Sequence, residues 1–194
     1  MDRADLRMLL DGMSNEDFVD RELLRPVPWL FREDLGSYNV WRGELAAQAR
    51  VAPDAVFLVG SGATGYSLSP LKLGRDFQPI GGGGPPSDLD LAIIAPDVFI
   101  LAWETIVQFD RTRRLRFSVE DRARLHQDIY FGFVATRVIP RDTDVARHVH
   151  QIRIVGTRLV PLRGHAANLR IYRRLEDLRA YHIASLRAVR RELA

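Results

Sequence analysis

The sequence contains no cysteine, and this absence excludes a whole class of chemistry. A disulfide framework, a thiolate nucleophile and a zinc site built on sulfur all require cysteine. Carboxylates and histidines must therefore carry any chemistry. The redox compartment stays open, because a chain without cysteine is compatible with each of them.

Long apolar runs and lysine are also scarce. No run approaches the ~20 apolar residues of a membrane-spanning helix, and the N-terminal segment MDRADLRMLLDGM scatters acids through a short amphipathic pattern instead of forming a signal-peptide core. We therefore expect a cytoplasmic protein without membrane contact. Lys72 is the only lysine among the 28 basic residues, so the basic character comes from arginine, whose planar guanidinium suits phosphate and carboxylate recognition.

Length and charge set the scale of the protein. A chain of 194 residues with 46% hydrophobic content is typical of one globular domain. A net charge of +3 is far below that of a dedicated nucleic-acid-binding protein. We predict one domain over 1–194, with an N-terminal helical layer at 1–50, a sheet region at 54–160 and a C-terminal helix at 165–194.

Hydrophobic patterning predicts the order of helices and strands. Continuous apolar runs predict buried strands at 56–59, 89–94 and 129–139, and a further short strand at 152–159. Helical patterns occupy 2–12, 14–24, 97–108, most of 111–127 including Leu115, 142–151 and about 169–193. The chain is therefore predicted to mix helices and strands within one domain.

A glycine- and proline-rich segment, LKLGRDFQPIGGGGPP, separates the first two strands. It has little capacity to bury surface, which predicts a mobile loop over Leu71 to Pro86. Long loops inside compact domains are usually functional or mobile. Lys72 and Arg75 can bind a triphosphate when such a loop closes, or they can simply keep it soluble, and the two interpretations have equal weight.

Two aspartates at the start of the second strand are the clearest chemical signal. Alternation along a strand places Asp88 and Asp90 on one face, while Leu89 and Leu91 point to the other. Two carboxylates this close repel each other unless a cation is present, and magnesium is usually held by such oxygen ligands together with substrate phosphates. Upstream, Gly60 allows close backbone approach, and Ser61 offers a hydroxyl and an amide to a phosphate.

These motifs resemble the DNA polymerase beta-like nucleotidyltransferase superfamily, in which a strand ending in Gly-Ser is followed by Asp-x-Asp on the next strand. The segments VGSGATGYSLSPLKLGRDF, SDLDLAII and NLRIYRRLEDLRAYHIASL are similar to stand-alone bacterial nucleotidyltransferase-like proteins, some of which are found in phage-defence loci. The resemblance implies that Gly60 and Ser61 contact a nucleoside triphosphate such as ATP, and that Asp88 and Asp90 hold Mg²⁺ or Mn²⁺. It also implies an α+β, nucleotidyltransferase-like fold, in which a short mixed sheet carries the site and helices from both termini pack around it. Antiviral defence is one setting that the resemblance implies.

The third carboxylate that the superfamily places on a later strand is not obvious here. Asp128, just before the predicted strand at 129–139, is the first candidate for this catalytic position. Asp142 and Asp144 follow Pro140 and are weaker candidates. The five histidines lie in no metal-binding motif, and the arginines of the last helix, among them Arg170, are predicted to form a solvated face.

The sequence therefore predicts a metal-dependent enzyme that transfers a ribo- or deoxynucleoside monophosphate from a triphosphate to a hydroxyl. The acceptor stays open between nucleic acid, nucleotide and protein. Two alternatives remain: a catalytically weak relative that binds a protein partner as an antitoxin or regulator, and a nucleic-acid-binding adaptor that uses its arginines.

Overall fold

The computed structural model describes residues 3–112 and 117–193. Its helices are α1 (Arg3–Asp11), α2 (Asn15–Phe18), α3 (Leu35–Ala49), α4 (Ser61–Thr64), α5 (Pro96–Arg111), α6 (Val119–Tyr130), α7 (Asp144–Gly156) and α8 (Leu175–Leu193). Its strands are β1 (Val56–Val59), β2 (Leu89–Ile94), β3 (Phe133–Ala135) and β4 (Ala167–Tyr172). The α+β class is thus confirmed.

Four strands form one mixed sheet in the order β1-β2-β4-β3. The β1–β2 and β3–β4 pairs are antiparallel, whereas β2 and β4 are parallel. A parallel pair needs a long crossover, and the chain between β2 and β4 supplies it with α5, α6, β3 and α7. The two central strands therefore bring together residues that are far apart in the sequence.

Side-chain alternation divides the sheet into two faces. Leu89, Leu91 and Ile93 of β2 lie in the largest hydrophobic cluster, together with residues of α3, α5 and α7. On the opposite face, Ala92 belongs to a smaller cluster with Phe133, Tyr172 and Leu178. Because Asp90 is two residues from Ala92, its carboxylate lies on this second face, toward α8.

The two ends of the chain pack on each other. Apolar residues of α1, of α2 and the π-helical turn after it, and of α8 form a third cluster, which includes Leu6, Phe18 and Leu186. Arg190 donates hydrogen bonds to the carbonyl oxygens of Leu10 and Met13 at 2.7 Å each. The predicted solvated face of α8 is therefore wrong for Arg190, which holds the N-terminal helices against α8.

Three sequence-based boundaries are wrong. The predicted strand at 129–139 is only three residues long, because α6 continues to Tyr130 and a 3-10 turn begins at Thr136. The predicted strand at 152–159 instead contains the end of α7, which stops at Gly156. Gly156 lies against Leu91, and its carbonyl oxygen accepts a hydrogen bond from the Trp41 indole. The predicted start of the last helix near 169 falls within β4, so the sheet extends past residue 160.

The prediction that 111–127 is mostly helical is confirmed for the residues of this range that the structure describes. α5 ends at Arg111, and α6 begins at Val119 with Ser118 as its N-cap. Residues 113–116, which include Leu115, lie outside the described residues. None of the described helices is both long enough and apolar enough to cross a lipid bilayer.

Candidate active site

A cavity of about 540 Å³ lies where β1 ends and β2 begins. Its walls are the start of α4, the segment from Ser67 to Asp76, the start of β2, one face of β4 and the inner side of α8. Six of the seven residues predicted as site residues line it: Gly60, Ser61, Lys72, Arg75, Asp88 and Asp90. Folding thus brings the predicted phosphate-binding and metal-binding residues to one cavity.

The two aspartates occupy different environments. Asp90 lies within β2 opposite Val59 of β1 and Asn168 of β4, and 28% of its side chain is exposed. Asp88 precedes the first residue of the strand and is exposed at the cavity. Burial raises the pKa of Asp90 and the nearby Asp88 charge raises it further, while Arg170, an Asn168 hydrogen bond and Lys72 act in the opposite direction. The charge of Asp90 is therefore costly and only loosely compensated.

Gly60 fits closely against the Asp90 carboxylate. Its backbone has φ +64° and ψ −149°, close to a region that essentially only glycine occupies. A Cβ atom at this position would lie 2.7 Å from Oδ2 of Asp90. The absence of a side chain at Gly60 therefore leaves room for the Asp90 carboxylate, and Ser61 lines the same cavity.

The segment after α4 is anchored more firmly than its composition predicts. Leu73 and Phe77 are buried, and the Phe77 ring lies 6.0 Å from that of Trp29. Backbone hydrogen bonds join Ser67 to Arg75 and Gly74 to Ser67 at 2.8 and 2.9 Å. Lys72 and Arg75 are consequently presented to the cavity from a short, hydrogen-bonded turn, and only the part from Pro79 to Pro86 is exposed throughout.

Arg170 and Asn168 are site residues that the sequence analysis missed. The parallel register places Asn168 beside Asp90, with Asn168 Nδ2 3.5 Å from Asp90 Oδ1. Nη1 of Arg170 lies 3.8 Å from the same oxygen. These residues belong to β4, which was predicted as helix, and only the pairing of β4 with β2 reveals their position.

Two aromatic residues of α8 close the cavity opposite β4. The guanidinium carbon of Arg170 lies 5.4 Å from the Tyr181 ring centroid. His182 is 8% exposed, and its Nε2 atom is buried without a hydrogen-bond partner among the described residues. Burial, assisted by the Arg170 charge, lowers the pKa of His182 to about 3. The imidazole is therefore neutral and is a poor proton acceptor.

Asp128 does not join the aspartate pair. It lies on α6 instead of beside a strand, and it is not among the residues that line the cavity. Its Oδ2 atom is buried without a hydrogen-bond partner among the described residues. Burial raises the pKa of Asp128, and the charges of Arg137 and Arg170 lower it. On the later strand next to β2, the position beside Asp90 is occupied by the Asn168 amide.

We expect Asp128→Asn to stabilise the protein at neutral pH and to retain any nucleotidyl transfer. Because the folded-state pKa is raised, the carboxylate begins to cost stability as pH rises above the unfolded value of about 3.9, and the cost is complete above the folded-state pKa. The melting temperature of the variant should therefore exceed that of the wild type near pH 7, and the difference should shrink toward about pH 4. A loss of turnover in this variant would contradict this prediction and would indicate that Asp128 is a catalytic residue.

Searches against protein-family models, curated proteins and solved structures each found no match to this chain.

Proposed function

We propose that the chain is a metal-dependent nucleotidyltransferase with a nucleotidyltransferase-like sheet, which transfers a nucleoside monophosphate from a triphosphate to a hydroxyl. One observation carries this proposal. The cavity of about 540 Å³ collects an acidic pair, a Gly-Ser turn and two basic side chains from three separate segments. Acidic residues that hold a cation, beside basic residues that neutralise phosphate, are the requirements of phosphoryl chemistry.

The donor atoms at the cavity fit Mg²⁺ or Mn²⁺ that is also bound by a substrate. Asp88 and Asp90 offer carboxylate oxygens, and Asn168 and Ser61 add an amide oxygen and a hydroxyl at the same cavity. Among residues 3–112 and 117–193, no group of three or more histidines and acids could hold a metal by itself. Magnesium commonly binds one or two carboxylates and completes its shell with substrate phosphates and water. The cation would neutralise charge on the transferred phosphate.

The chain's own residues bind and orient the substrate. Lys72 and Arg75 lie at the cavity on the hydrogen-bonded turn after α4, where their charges can neutralise the β- and γ-phosphates. Gly60 leaves room beside Asp90 that a side chain would fill. The acceptor hydroxyl oxygen bonds to the α-phosphorus, the bond from that phosphorus to the bridging oxygen breaks, and pyrophosphate leaves. The hydroxyl proton passes to water, which reaches the exposed Asp88.

A nucleotide-binding regulator without turnover is the second candidate function. The observation that favours it is the pair of residues beside Asp90 on β4, an amide at Asn168 and a guanidinium at Arg170. An amide gives a weaker metal site than a third carboxylate, and Arg170 at 3.8 Å competes with a cation for Asp90. Both candidates bind a triphosphate at this cavity, and only product formation separates them.

We expect Mg²⁺ and a nucleoside triphosphate together to protect Lys72 from amine-directed acylation more than either alone. At a concentration ten times the dissociation constant, modification should slow about tenfold, because only the free protein reacts. Lys72 is the only lysine, so peptide mapping separates its signal from that of the N-terminal amine. Asp90→Asn should abolish the protection, whereas Asp54→Asn, which changes an exposed acid outside the cavity, should not. Equal acylation rates with and without ligand would contradict triphosphate binding here.

A further inference from the structure

A second cavity, of about 580 Å³, lies beside the first half of β4. Its walls are the turn after β3, one side of α7 and residues 167–170 of β4. It exists because β3 pairs with only part of β4, from Phe133 opposite Tyr172 to Ala135 opposite Arg170. Beyond Ala135 the chain turns away, so the edge of β4 before Arg170 has no partner strand among the described residues.

The lining of this second cavity is strongly basic. It includes five arginines and one histidine and no carboxylate: Arg137, Arg141, Arg147, Arg153, Arg170 and His150. Such a concentration is unexpected in a protein whose net charge is only +3. Clustered guanidinium groups create a positive potential that attracts anions and match the geometry of phosphate oxygens.

Most of these charges are available to a ligand. Within the described parts of the chain, the side chains of Arg137 and Arg141 are exposed and form no ion pair or hydrogen bond, although the Arg137 charge acts on the partly buried Asp128. Arg147 pairs with Asp144, which is 93% exposed, so this ion pair is worth little and is easily exchanged. In the part of the chain that the structure describes, the one polar contact of the Arg153 guanidinium is to the His150 ring, at 3.2 Å.

The two cavities meet at β4. Asn168 and Arg170 line both of them, and Asn168 is also the residue beside Asp90. A ligand in the second cavity would therefore contact residues that also line the first cavity, beside Asp90. An acceptor of a nucleotidyl transfer needs such a position, because its hydroxyl must lie next to the bound triphosphate.

We propose that the second cavity binds the phosphodiester backbone at the end of a single-stranded nucleic acid, and thus holds the acceptor of the proposed nucleotidyl transfer. The terminal hydroxyl of the strand passes Asn168 toward Asp90, and its oxygen forms the new bond to the α-phosphorus as pyrophosphate leaves. The volume is that of a small-ligand pocket, which suits the last nucleotides of a single strand.

The spacing of the arginines favours a strand over a single phosphate group. Arg147 and Arg153 are six residues apart on α7, which corresponds to about 9 Å along the helix axis. Arg137 and Arg141 belong to a different part of the lining, the segment that follows β3. Guanidinium groups distributed over this distance contact successive phosphates of a backbone, whereas one mononucleotide would use only some of them.

The test measures binding of a fluorescent single-stranded oligonucleotide of about ten nucleotides by anisotropy, with neither Mg²⁺ nor triphosphate present. The variant Arg137→Ala/Arg141→Ala should bind at least about tenfold more weakly than wild type. The slope of log K against log salt should fall by about 1.4, because each lost phosphate contact contributes about 0.7 for a single strand. The matched control, Arg111→Ala/Arg124→Ala, removes the same charge from exposed positions outside both cavities, and it should bind as wild type does.

Three results would overturn the proposal: no oligonucleotide binding by the wild type, equal weakening in both double variants, or competition by a mononucleotide as strong as that by an unlabelled oligonucleotide. The last result would identify the cavity as a nucleotide site. The proposal rests on the proposed function, but different experimental results would contradict the acceptor site and the triphosphate site. If magnesium and triphosphate protect Lys72 but no oligonucleotide binds, only the proposed acceptor site is contradicted. If an oligonucleotide binds but Lys72 is not protected, the proposed triphosphate site is contradicted.

Discussion

Asp90→Asn is expected to lower nucleotidyl transfer by about 10³-fold while the fold remains intact. Asp90 is the partly buried member of the acidic pair, held between Gly60 and Asn168. Charge stabilisation by a bound cation is worth several kcal/mol in phosphoryl chemistry, and about 4 kcal/mol corresponds to this factor in rate. Initial rates of product formation at equal, subsaturating triphosphate concentrations, which report kcat/KM, measure the effect. Thermal melting should show no loss of stability, because burial makes the Asp90 charge unfavourable.

The matched control for this substitution is Asp54→Asn. Asp54 is an exposed acid in the turn before β1, and it lines neither cavity. It should leave the rate within about twofold of wild type, since isolated surface substitutions have small effects. Equal rates for the wild type, Asp54→Asn and Asp90→Asn would show that Asp90 has no part in the chemistry.

Gly60→Ala is expected to have the second-largest effect, on both stability and turnover. The added Cβ would lie 2.7 Å from Asp90 Oδ2, and the backbone angles at this position are strained for any other residue. Such strain costs about 1–3 kcal/mol, and each kcal/mol lowers the melting temperature of a chain of this size by about 2–4 °C. Displacing Asp90 by about 1 Å is enough for a loss of about 10²-fold in rate.

The variant Gly81→Ala separates the effect of backbone strain from the effect of the contact with Asp90. Gly81 also has a positive φ, of +82°, but a Cβ atom there would meet nothing within 4 Å. This variant should lose some stability through backbone strain and keep its rate. If Gly60→Ala and Gly81→Ala reduced turnover equally, the contact between Gly60 and Asp90 would have no functional meaning.

The part of the site that could be predicted from sequence is the part encoded locally. Asp88 and Asp90 follow from alternation along one strand, and Gly60 and Ser61 follow from a strand that ends in a turn. Each of these inferences needs only neighbouring residues. The hydrophobic runs at 56–59 and 89–94 were likewise clear, because both strands are buried on the main core face.

The part that could not be predicted depends on long-range pairing. Asn168 and Asp90 are 78 residues apart and meet only through the parallel β2–β4 register. Around Leu169 and Tyr172 the apolar spacing continues into that of α8, so β4 was predicted as the start of the helix. Asp128 was misplaced because the apolar run after it includes the end of α6. This helix ends at Tyr130, two residues before Gly132, where φ is +67°.

Packing also explains why composition was misleading for the loop between β1 and β2. Leu73 and Phe77 are buried in two different hydrophobic clusters, although the surrounding sequence is rich in glycine and proline. A lid over the cavity would therefore be limited to the exposed part from Pro79 to Pro86. The antiviral setting and the cytoplasmic location remain predictions from the sequence.

Product formation from labelled triphosphates tests the central proposal most directly. The pure protein is incubated with each of the four ribo- and four deoxynucleoside triphosphates, labelled at the α-phosphate, with Mg²⁺ or Mn²⁺ and a single-stranded oligonucleotide. We predict transfer of label to the oligonucleotide with release of pyrophosphate, both lost in Asp90→Asn and in the presence of a chelator. Absence of any labelled product from the wild-type protein, under conditions in which Lys72 is protected by magnesium and triphosphate, would contradict the enzyme and support a nucleotide-binding regulator.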